Sequence, residues 1–439
     1  MELYEFQRVA VEAITANGHS TYLGYEMGLG KSAIAIETAK RLGVRRLAIL
    51  CPSVGKLTWA KEFKRWWPEI PVLIINSWED VQKIGGVGAF IISYNRISMS
   101  QSSGYDYVLG IKKHCTRPFD MTVLDEAHYL KNPKAIRTKS VLKTLRPLLG
   151  WCLPMSGTPA PNHAGELYPI LATLFPEAIK RHDGTPMKIY EFEDAFCDVK
   201  HKQFGGGRMI RVIEGSKNLD DLRRRIAPFM MRKKKVEVLK DLPEMTFDTY
   251  PILAPDAPVW GEHHHVSDDD LLKDEHVMRM RRQLGVSKVR GAVAAIDEML
   301  EGCTRKALVF AHHTEVIDGL MEGLANWNPV KIDGRDTPPA RERAVATFLH
   351  HPACRVFIGN IQAAGTSITL VGPGCDVSDV FFVESDFSPG NNVQAASRIH
   401  RIGQKDAVQV WFLSAAGTYD DRIAEINARK ASDIKELFG

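Results

Sequence analysis

The sequence predicts an α/β protein with two mostly parallel sheets, each wrapped by helices. Three observations carry that prediction. A glycine-rich turn, Gly28-Leu29-Gly30-Lys31-Ser32, runs from a short apolar strand into a helix, the shape of a phosphate cradle. Apolar strands and helical stretches alternate through the first lobe, residues 1–174, as a parallel sheet requires. The same alternation resumes in a second lobe, 286–439, without a cradle of its own. At 439 residues the chain exceeds a single hydrophobic core and suits two or three domains.

Taken in order, Phe6, Val9, Ala10, Ala13 and Ile14 fall at helical spacing. Ala33, Ile34, Ile36 and Ala39 mark the helix behind the cradle. Strands are predicted at 47–51, 72–75, 90–93, 121–124 and 152–156. Residues 175–253 break the pattern with Gly205-Gly206-Gly207 and the basic runs Arg223-Arg224-Arg225 and Arg232-Lys233-Lys234-Lys235. They read as a helical, basic insertion that projects from the first lobe and completes it. Residues 254–285 read as a linker. Its His263-His264-His265 and Asp268-Asp269-Asp270 have no nearby cysteine or spaced histidine partner, so a solvated loop is expected rather than a metal site. Strands of the second lobe are predicted at 307–311, 330–332, 356–358, 380–383 and 408–413, after a helix ending at Leu300.

A formal charge of +4 makes any nucleic-acid surface a local patch rather than a global field. Seven cysteines, an odd number with no C-x-x-C pair, argue against a zinc ribbon or disulfide framework and for a reducing compartment. Residues 1–5 lack the basic region and apolar stretch of a signal peptide, and no apolar run approaches a membrane span. A soluble, intracellular chain is expected: cytoplasmic in the bacterial or viral source that its compact form suggests, nuclear in a eukaryote.

In the cradle, Lys31 is placed to reach outer phosphates and the Ser32 hydroxyl to ligate Mg²⁺. Asp125-Glu126-Ala127-His128 follows an apolar strand, whose carboxyl end is where α/β sheets bind ligands. Asp125 suits the metal, and Glu126 suits orienting or deprotonating water. Together, in this order, the two strings imply ATP hydrolysis. Gln394, Arg398 and Arg401 sit at i, i+4 and i+7, one face of a helix. Guanidinium groups brought from the second lobe to the γ-phosphate would couple hydrolysis to lobe closure, with nucleotide in the inter-lobe cleft.

With these strings the chain resembles the Snf family of helicase superfamily 2, and within it the HARP-type annealing-helicase branch. The likeness runs in order over nearly the whole chain. Residues 3–7, ending in Gln7, resemble the adenine-reading motif, and 25–32, with Met27, Gly28, Leu29 and Gly30, the nucleotide loop. Cys51-Pro52-Ser53 with Trp59 and Trp66 resembles motif Ia, and Asp125 to His128 followed by Leu130-Lys131-Asn132 motif II. Ser156-Gly157-Thr158-Pro159 with Asn162 resembles motif III, and Leu308-Val309-Phe310-Ala311-His312-His313 motif IV. The ending His400-Arg401-Ile402-Gly403-Gln404 favours this family over RNA-directed helicases. Tyr25, the altered motif V at 364–369 and Phe387-Ser388-Pro389 depart from the family pattern; the departures bear on DNA coupling and leave the ATP chemistry intact.

The resemblance implies two RecA-like lobes, ATP and Mg²⁺ as cofactors, and duplex or branched DNA as the track of a monomeric translocase. Gln7, Met27 to Ser32, Asp125 and Gln394 would bind nucleotide, with Lys31, Glu126, Arg398 and Arg401 catalytic. His128, Ser156 and Thr158 would couple hydrolysis to movement. Lys56, Lys61, Lys64, Lys131 and Thr366 are candidate phosphate contacts, and the insertion's basic runs a further grip. His312 and His313, just after a strand, suit a structural or DNA-lining role. No reader or zinc domain is recognisable, so chromatin targeting within these residues is not expected. Rival readings are a strand-separating helicase of repair or restriction type, an RNA-directed motor and an idle DNA-binding scaffold.

Overall fold

The computed structural model describes residues 2–18, 20–98, 106–204, 208–260, 275–361, 368–372 and 375–438. Gly205 to Gly207, the His263 and Asp268 triplets and Thr366 lie outside the described residues. The chain divides into two compact units. The first comprises Met1–Val199, Gly215–Val238 and Ile434–Gly439, the second Lys200–Glu214 and Leu239–Asp433.

The first unit is built on β1 (Tyr22–Leu23), β2 (Arg46–Cys51), β3 (Val72–Ile74), β4 (Gly88–Ser93), β5 (Met121–Asp125) and β6 (Trp151–Met155). The chain then forms a ribbon of β7 (Cys197–Phe204) and β8 (Arg208–Ser216), of which Lys200–Glu214 belongs to the second unit, and returns to the first with β9 (Met230–Met231). The sheet order is β3-β4-β2-β5-β6-β1-β9, and every described pairing is parallel. β2 and β4 are buried at every position, which is why they read as unbroken apolar runs.

Helix α1 (Glu5–Asn17) buries Gln7, Ala10, Val11 and Ile14, the i, i+3, i+4, i+7 face, and Gly18 ends it at φ 66°. Val9, expected on the inner face, is exposed, and Val11 takes that place. α2 (Lys31–Arg41) packs Ala33, Ile34, Ala35, Ile36 and Ala39, and α3 (Gly55–Trp66) buries Trp59 and Phe63, one turn apart.

The second unit's sheet has the order β10-β15-β14-β11-β13-β12, again wholly parallel in its described pairings. Its strands are β10 (Met245–Pro251), β11 (Lys306–Ala311), β12 (Val330–Ile332), β13 (Val356–Asn360), β14 (Val377–Phe382) and β15 (Val408–Ser414). Leu308 and Phe310 of β11 enter one core, and Ala307, Val309 and Ala311 the other, so the sheet is covered on both faces. The covering helices are α4 (Glu275–Leu300), α5 (Thr314–Gly323), α6 (Pro338–His350) and α7 (Pro389–Ala396), while α8 (Tyr419–Phe438) packs Tyr419, Ile423 and Ile426 with Val277 and Leu284 of α4 in a separate cluster.

Three features differ from the sequence expectation. β9, placed in a projecting insertion, is a strand of the first sheet beside β1. β10, expected to complete the first lobe, is the edge strand of the second sheet, paired with β15 along its whole length. α4 begins at Glu275, inside the expected linker. All seven cysteines are free thiols, and no helix among the described residues is long and apolar enough to cross a membrane.

Candidate active site

Beyond β1 the chain turns through Gly28 at φ 88° and Gly30 at φ 73°, left-handed angles that suit glycine. The first intrahelical bond of α2 runs from Ile34 N–H to Gly30 O at 3.1 Å. The N–H groups before it have no intrahelical acceptor and, with the helix dipole, make an anion site. Lys31 Nζ curls back to Tyr25 O at 2.8 Å and Glu26 O at 3.2 Å, and Ser32 follows in the same turn. The side chains of Met27 and Leu29 are buried, so these residues offer the cradle main chain rather than side chain. Gln7 is buried beneath the loop: its Nε2 donates to Leu29 O at 3.1 Å, and its Oε1 accepts from Tyr4 N–H at 3.0 Å.

β5 delivers Asp125 to its carboxyl end, where both carboxylate oxygens are held. Oδ2 accepts from Trp59 Nε1 on α3 at 2.8 Å, and Oδ1 from Glu126 N–H at 3.0 Å. Tyr94 OH donates to Asp125 O at 2.9 Å. Burial, then the neighbouring Glu126 charge, pushes the Asp125 carboxyl above its ordinary range. Glu126 has φ 47°, a left-handed backbone that costs a non-glycine residue about 1 kcal/mol or more. That turn sets Glu126 beside Asp125 rather than across the sheet from it. His128 Nδ1 lies 3.4 Å from Glu126 Oε2 and 2.9 Å from Ser156 Oγ, which also accepts from Thr158 N–H at 3.0 Å. Burial, then the charge of Lys131, pulls His128 down to about 3 and keeps its ring neutral. The structure thus joins Glu126 to the three residues expected to couple hydrolysis to movement.

Candidate DNA contacts fare differently. The Lys131 ammonium is 2.6 Å from the buried Glu166 carboxylate, which also accepts from Asn162 N–H at 2.9 Å and Nδ2 at 2.6 Å. Burial alone would raise Glu166, yet Lys131 and its other donors hold it down at about 2. Lys131 therefore ties the segment after Asp125 to the segment after Thr158 through an ion pair, where the sequence reading expected a phosphate contact. Lys56 donates to Asn76 Oδ1 at the start of α3. Trp59, Tyr94 and Glu166 were not assigned these contacts by the sequence reading. The tryptophan enters the sequence reading only through the motif Ia likeness and the tyrosine not at all, since their partner Asp125 lies far along the chain from both.

In the second unit α7 ends at Ala396, so the single helical face expected for Gln394, Arg398 and Arg401 does not exist. Gln394 is on the helix, and both arginines are in the turn that follows. After Ser397 the backbone bonds shorten to i−3, from Arg398 N–H to Ala395 O at 3.1 Å and from Ile399 N–H to Ala396 O at 3.3 Å, and Arg398 O accepts from Leu370 N–H at 3.1 Å. The two side chains nevertheless converge on one segment: Arg398 Nη1 donates to Ile368 O at 3.2 Å and Arg401 Nη1 to Thr369 Oγ1 at 2.7 Å. Gln404 locks the turn, donating to Val377 O at 2.8 Å and accepting from Lys405 N–H at 2.8 Å. After β11, Glu384 Oε2 accepts from His312 N–H at 2.8 Å and His313 N–H at 2.9 Å, while Oε1 is 2.6 Å from His313 Nδ1.

The first unit's donors fit a nucleotide with Mg²⁺. A hard cation takes oxygen ligands and prefers one or two carboxylates plus phosphates, and Ser32 and Asp125 supply a hydroxyl and a carboxylate beside an anion-binding helix end. Residues 7–252 match the SNF2-related domain and residues 291–403 the helicase conserved C-terminal domain. The chain belongs to the SNF2-related family of helicase-type ATPases. Among curated relatives, the mouse DNA annealing helicase and endonuclease ZRANB3 is 28% identical over 98% of this chain and 40% of its own length. The Xenopus tropicalis SWI/SNF-related matrix-associated actin-dependent regulator of chromatin subfamily A-like protein 1 is 29% identical over 95% of this chain and 43% of its own. The chain therefore spans less than half the length of these SNF2-family relatives. A solved structure, the Sulfolobus solfataricus SWI2/SNF2 ATPase core in complex with dsDNA, aligns over 100% of this chain and 96% of its own, with 18% identity and a TM-score of 0.45. The relatives named are animal proteins and lend no support to the expected bacterial or viral source.

Proposed function

We propose that this protein is a DNA-dependent ATPase that couples hydrolysis to translocation along duplex DNA, remodelling or reannealing DNA structures. The observation that carries the reading is the first unit's continuous set of groups, from the Gly28 to Ser32 cradle through Asp125 and Glu126 to His128, Ser156 and Thr158. ATP lies with its phosphates at the start of α2, and Lys31 draws the outer phosphates. Ser32 and Asp125 would hold Mg²⁺, which when bound would supply neutralising charge to the phosphates. Glu126 orients the attacking water and accepts its proton. Arg398 and Arg401 add positive charge as the transition state develops. His128, neutral and bonded to Ser156, passes the change at Glu126 to the Ser156 to Thr158 turn. The lysines on α3, Lys56, Lys61 and Lys64, contact the DNA backbone, whose phosphates repeat regardless of sequence.

The test is ATP turnover against linear duplex, forked DNA, single strands and RNA, with a strand-displacement assay alongside. Duplex or forked DNA is expected to stimulate turnover most, and DNA affinity to fall steeply as salt rises. A triplex-forming strand laid on a duplex is expected to leave when ATP is supplied, while an ordinary annealed strand stays. Release of the annealed strand at a rate matching ATP use would establish a strand-separating helicase instead. Stimulation by RNA above duplex DNA would establish an RNA-directed motor.

A further inference from the structure

The run Arg232-Lys233-Lys234-Lys235 has the composition of a phosphate grip, but the structure turns its first member inward. β9 lies parallel to β1, with Met230 opposite Tyr22 and Met231 opposite Leu23. The main-chain pairing continues past the strands: Gly24 N–H donates to Met231 O at 2.8 Å, and Glu26 N–H to Lys233 O at 3.0 Å. The Glu26 carboxylate accepts from Lys235 N–H at 2.7 Å. Residues 230–235 thus form a rail along the stretch of chain that leads into the nucleotide loop.

From this rail the Arg232 Nη1 donates to two carbonyls, Gly24 O and, at 2.9 Å, Gly157 O. Gly24 begins the stretch that becomes the cradle. Gly157 is the middle of the Ser156 to Thr158 turn, and it packs so closely on the loop that a Cβ there would lie 2.3 Å from Met27 Sδ. One guanidinium therefore clamps the start of the phosphate loop to the turn whose Ser156 is bonded to His128. Both bonds leave one nitrogen, Nη1, whose two N–H vectors are fixed in the guanidinium plane, whereas an ammonium on a flexible stem has no such fixed directions.

We propose that Arg232 is a positioning residue of the ATP site, fixing the phosphate loop against the Ser156 to Thr158 turn, and is not a DNA contact. The proposal rests on the ATPase reading given above. It divides the basic run by role, because charge composition alone assigns Arg232 to nucleic acid.

The experiment uses Arg232→Ala and Arg232→Lys in the full chain. It reads binding of a fluorescent ATP analogue without DNA, kcat and KM for ATP with saturating duplex, and DNA affinity across a salt series. Arg232→Ala is expected to lower kcat/KM by roughly tenfold or more, with weakened nucleotide binding. DNA affinity and its salt slope are expected to stay unchanged. Arg232→Lys is expected to remain impaired despite keeping the charge, and added guanidinium ion to restore part of the turnover of Arg232→Ala where ammonium does not. A salt slope reduced by about one with nucleotide binding intact would mark a phosphate contact and overturn the proposal. If Arg232→Ala does not fold, Arg232→Lys decides: normal nucleotide affinity and kcat in that variant overturn the proposal. Wild-type protein that binds no nucleotide would sink the ATPase reading itself, whereas normal wild-type binding with an unimpaired Arg232→Lys sinks this proposal alone.

Discussion

His128 makes the first unit sensitive to acid in a way that can be calculated. Its ring is buried against Ser156 and Glu126, and burial with the nearby Lys131 brings it from the ordinary 6.5 down to about 3. Below pH 6.5 the unfolded chain takes up a proton at this position that the folded chain refuses, so stability falls as pH falls. The loss begins near 6.5 and is complete only near 3. Between pH 7 and pH 5 it amounts to about 2 kcal/mol, and the whole range to about 5 kcal/mol. Replacing the ring in His128→Asn keeps a side-chain partner for Ser156 and removes the proton. Urea unfolding followed by tryptophan fluorescence at pH 7 and pH 5 is expected to show wild type losing about 2 kcal/mol more than the variant on acidification. Parallel losses in the two proteins would refute the claim that the buried, neutral ring carries this dependence.

Lys31→Ala is expected to weaken both ATP binding and turnover, and Glu126→Gln to keep binding while abolishing turnover; near-normal hydrolysis by Glu126→Gln in a phosphate-release assay would remove Glu126 as the group acting on water. Replacing Arg398 or Arg401 by Ala is expected to reduce DNA-stimulated kcat by about 10³ or more with little change in nucleotide affinity, and normal turnover in both variants would exclude them from the reaction. Gly30→Ala places a methyl 2.3 Å from Gln7 Nε2 at a backbone φ of 73°. It is expected to break the Gln7 bond to Leu29 O and to cost about 2 kcal/mol from the left-handed backbone and the lost bond, read as a lower Tm and a raised KM for ATP. An unchanged Tm would show that the loop relaxes around the methyl.

What the sequence made legible follows from how local each feature is. The cradle needs glycine at two left-handed positions and a helix start, and all of that is written within Gly28 to Ser32. Parallel strands buried on both faces are unbroken apolar runs, so β2, β5 and β11 stand out. β10 is different: Met245–Pro251 is largely exposed, and its place is set by pairing with β15 and by cross-strand bonds such as Gln409 Nε2 to Asp248 Oδ2 at 2.7 Å. Nothing near Met245 in the chain specifies which sheet it joins. The end of α7 was hidden for a similar reason, since the turn after Ala396 is held from remote segments, by Leu370 N–H on Arg398 O and by Gln404 on Val377 O. Lys131 and Arg232 read as solvated or DNA-facing charges because their partners, Glu166 and the carbonyls of Gly24 and Gly157, are close in space and remote in sequence.

The rail formed by β9 also sets a timetable. β1 is two residues long, and its parallel neighbours are β6 and β9, more than a hundred and more than two hundred positions downstream. During synthesis at about 5–20 residues per second, roughly 10–40 s separate the emergence of Gly24 from that of Lys235. Through that interval the glycine-rich loop exists without the strand, the Glu26 tether or the guanidinium that later hold it. A nascent chain stalled before Met230 should therefore carry a folded β2-β4-β5 core and a floppy loop unable to retain nucleotide. On the proposed reading, firm hold on ATP by the first unit is expected only after Lys235 has left the ribosome.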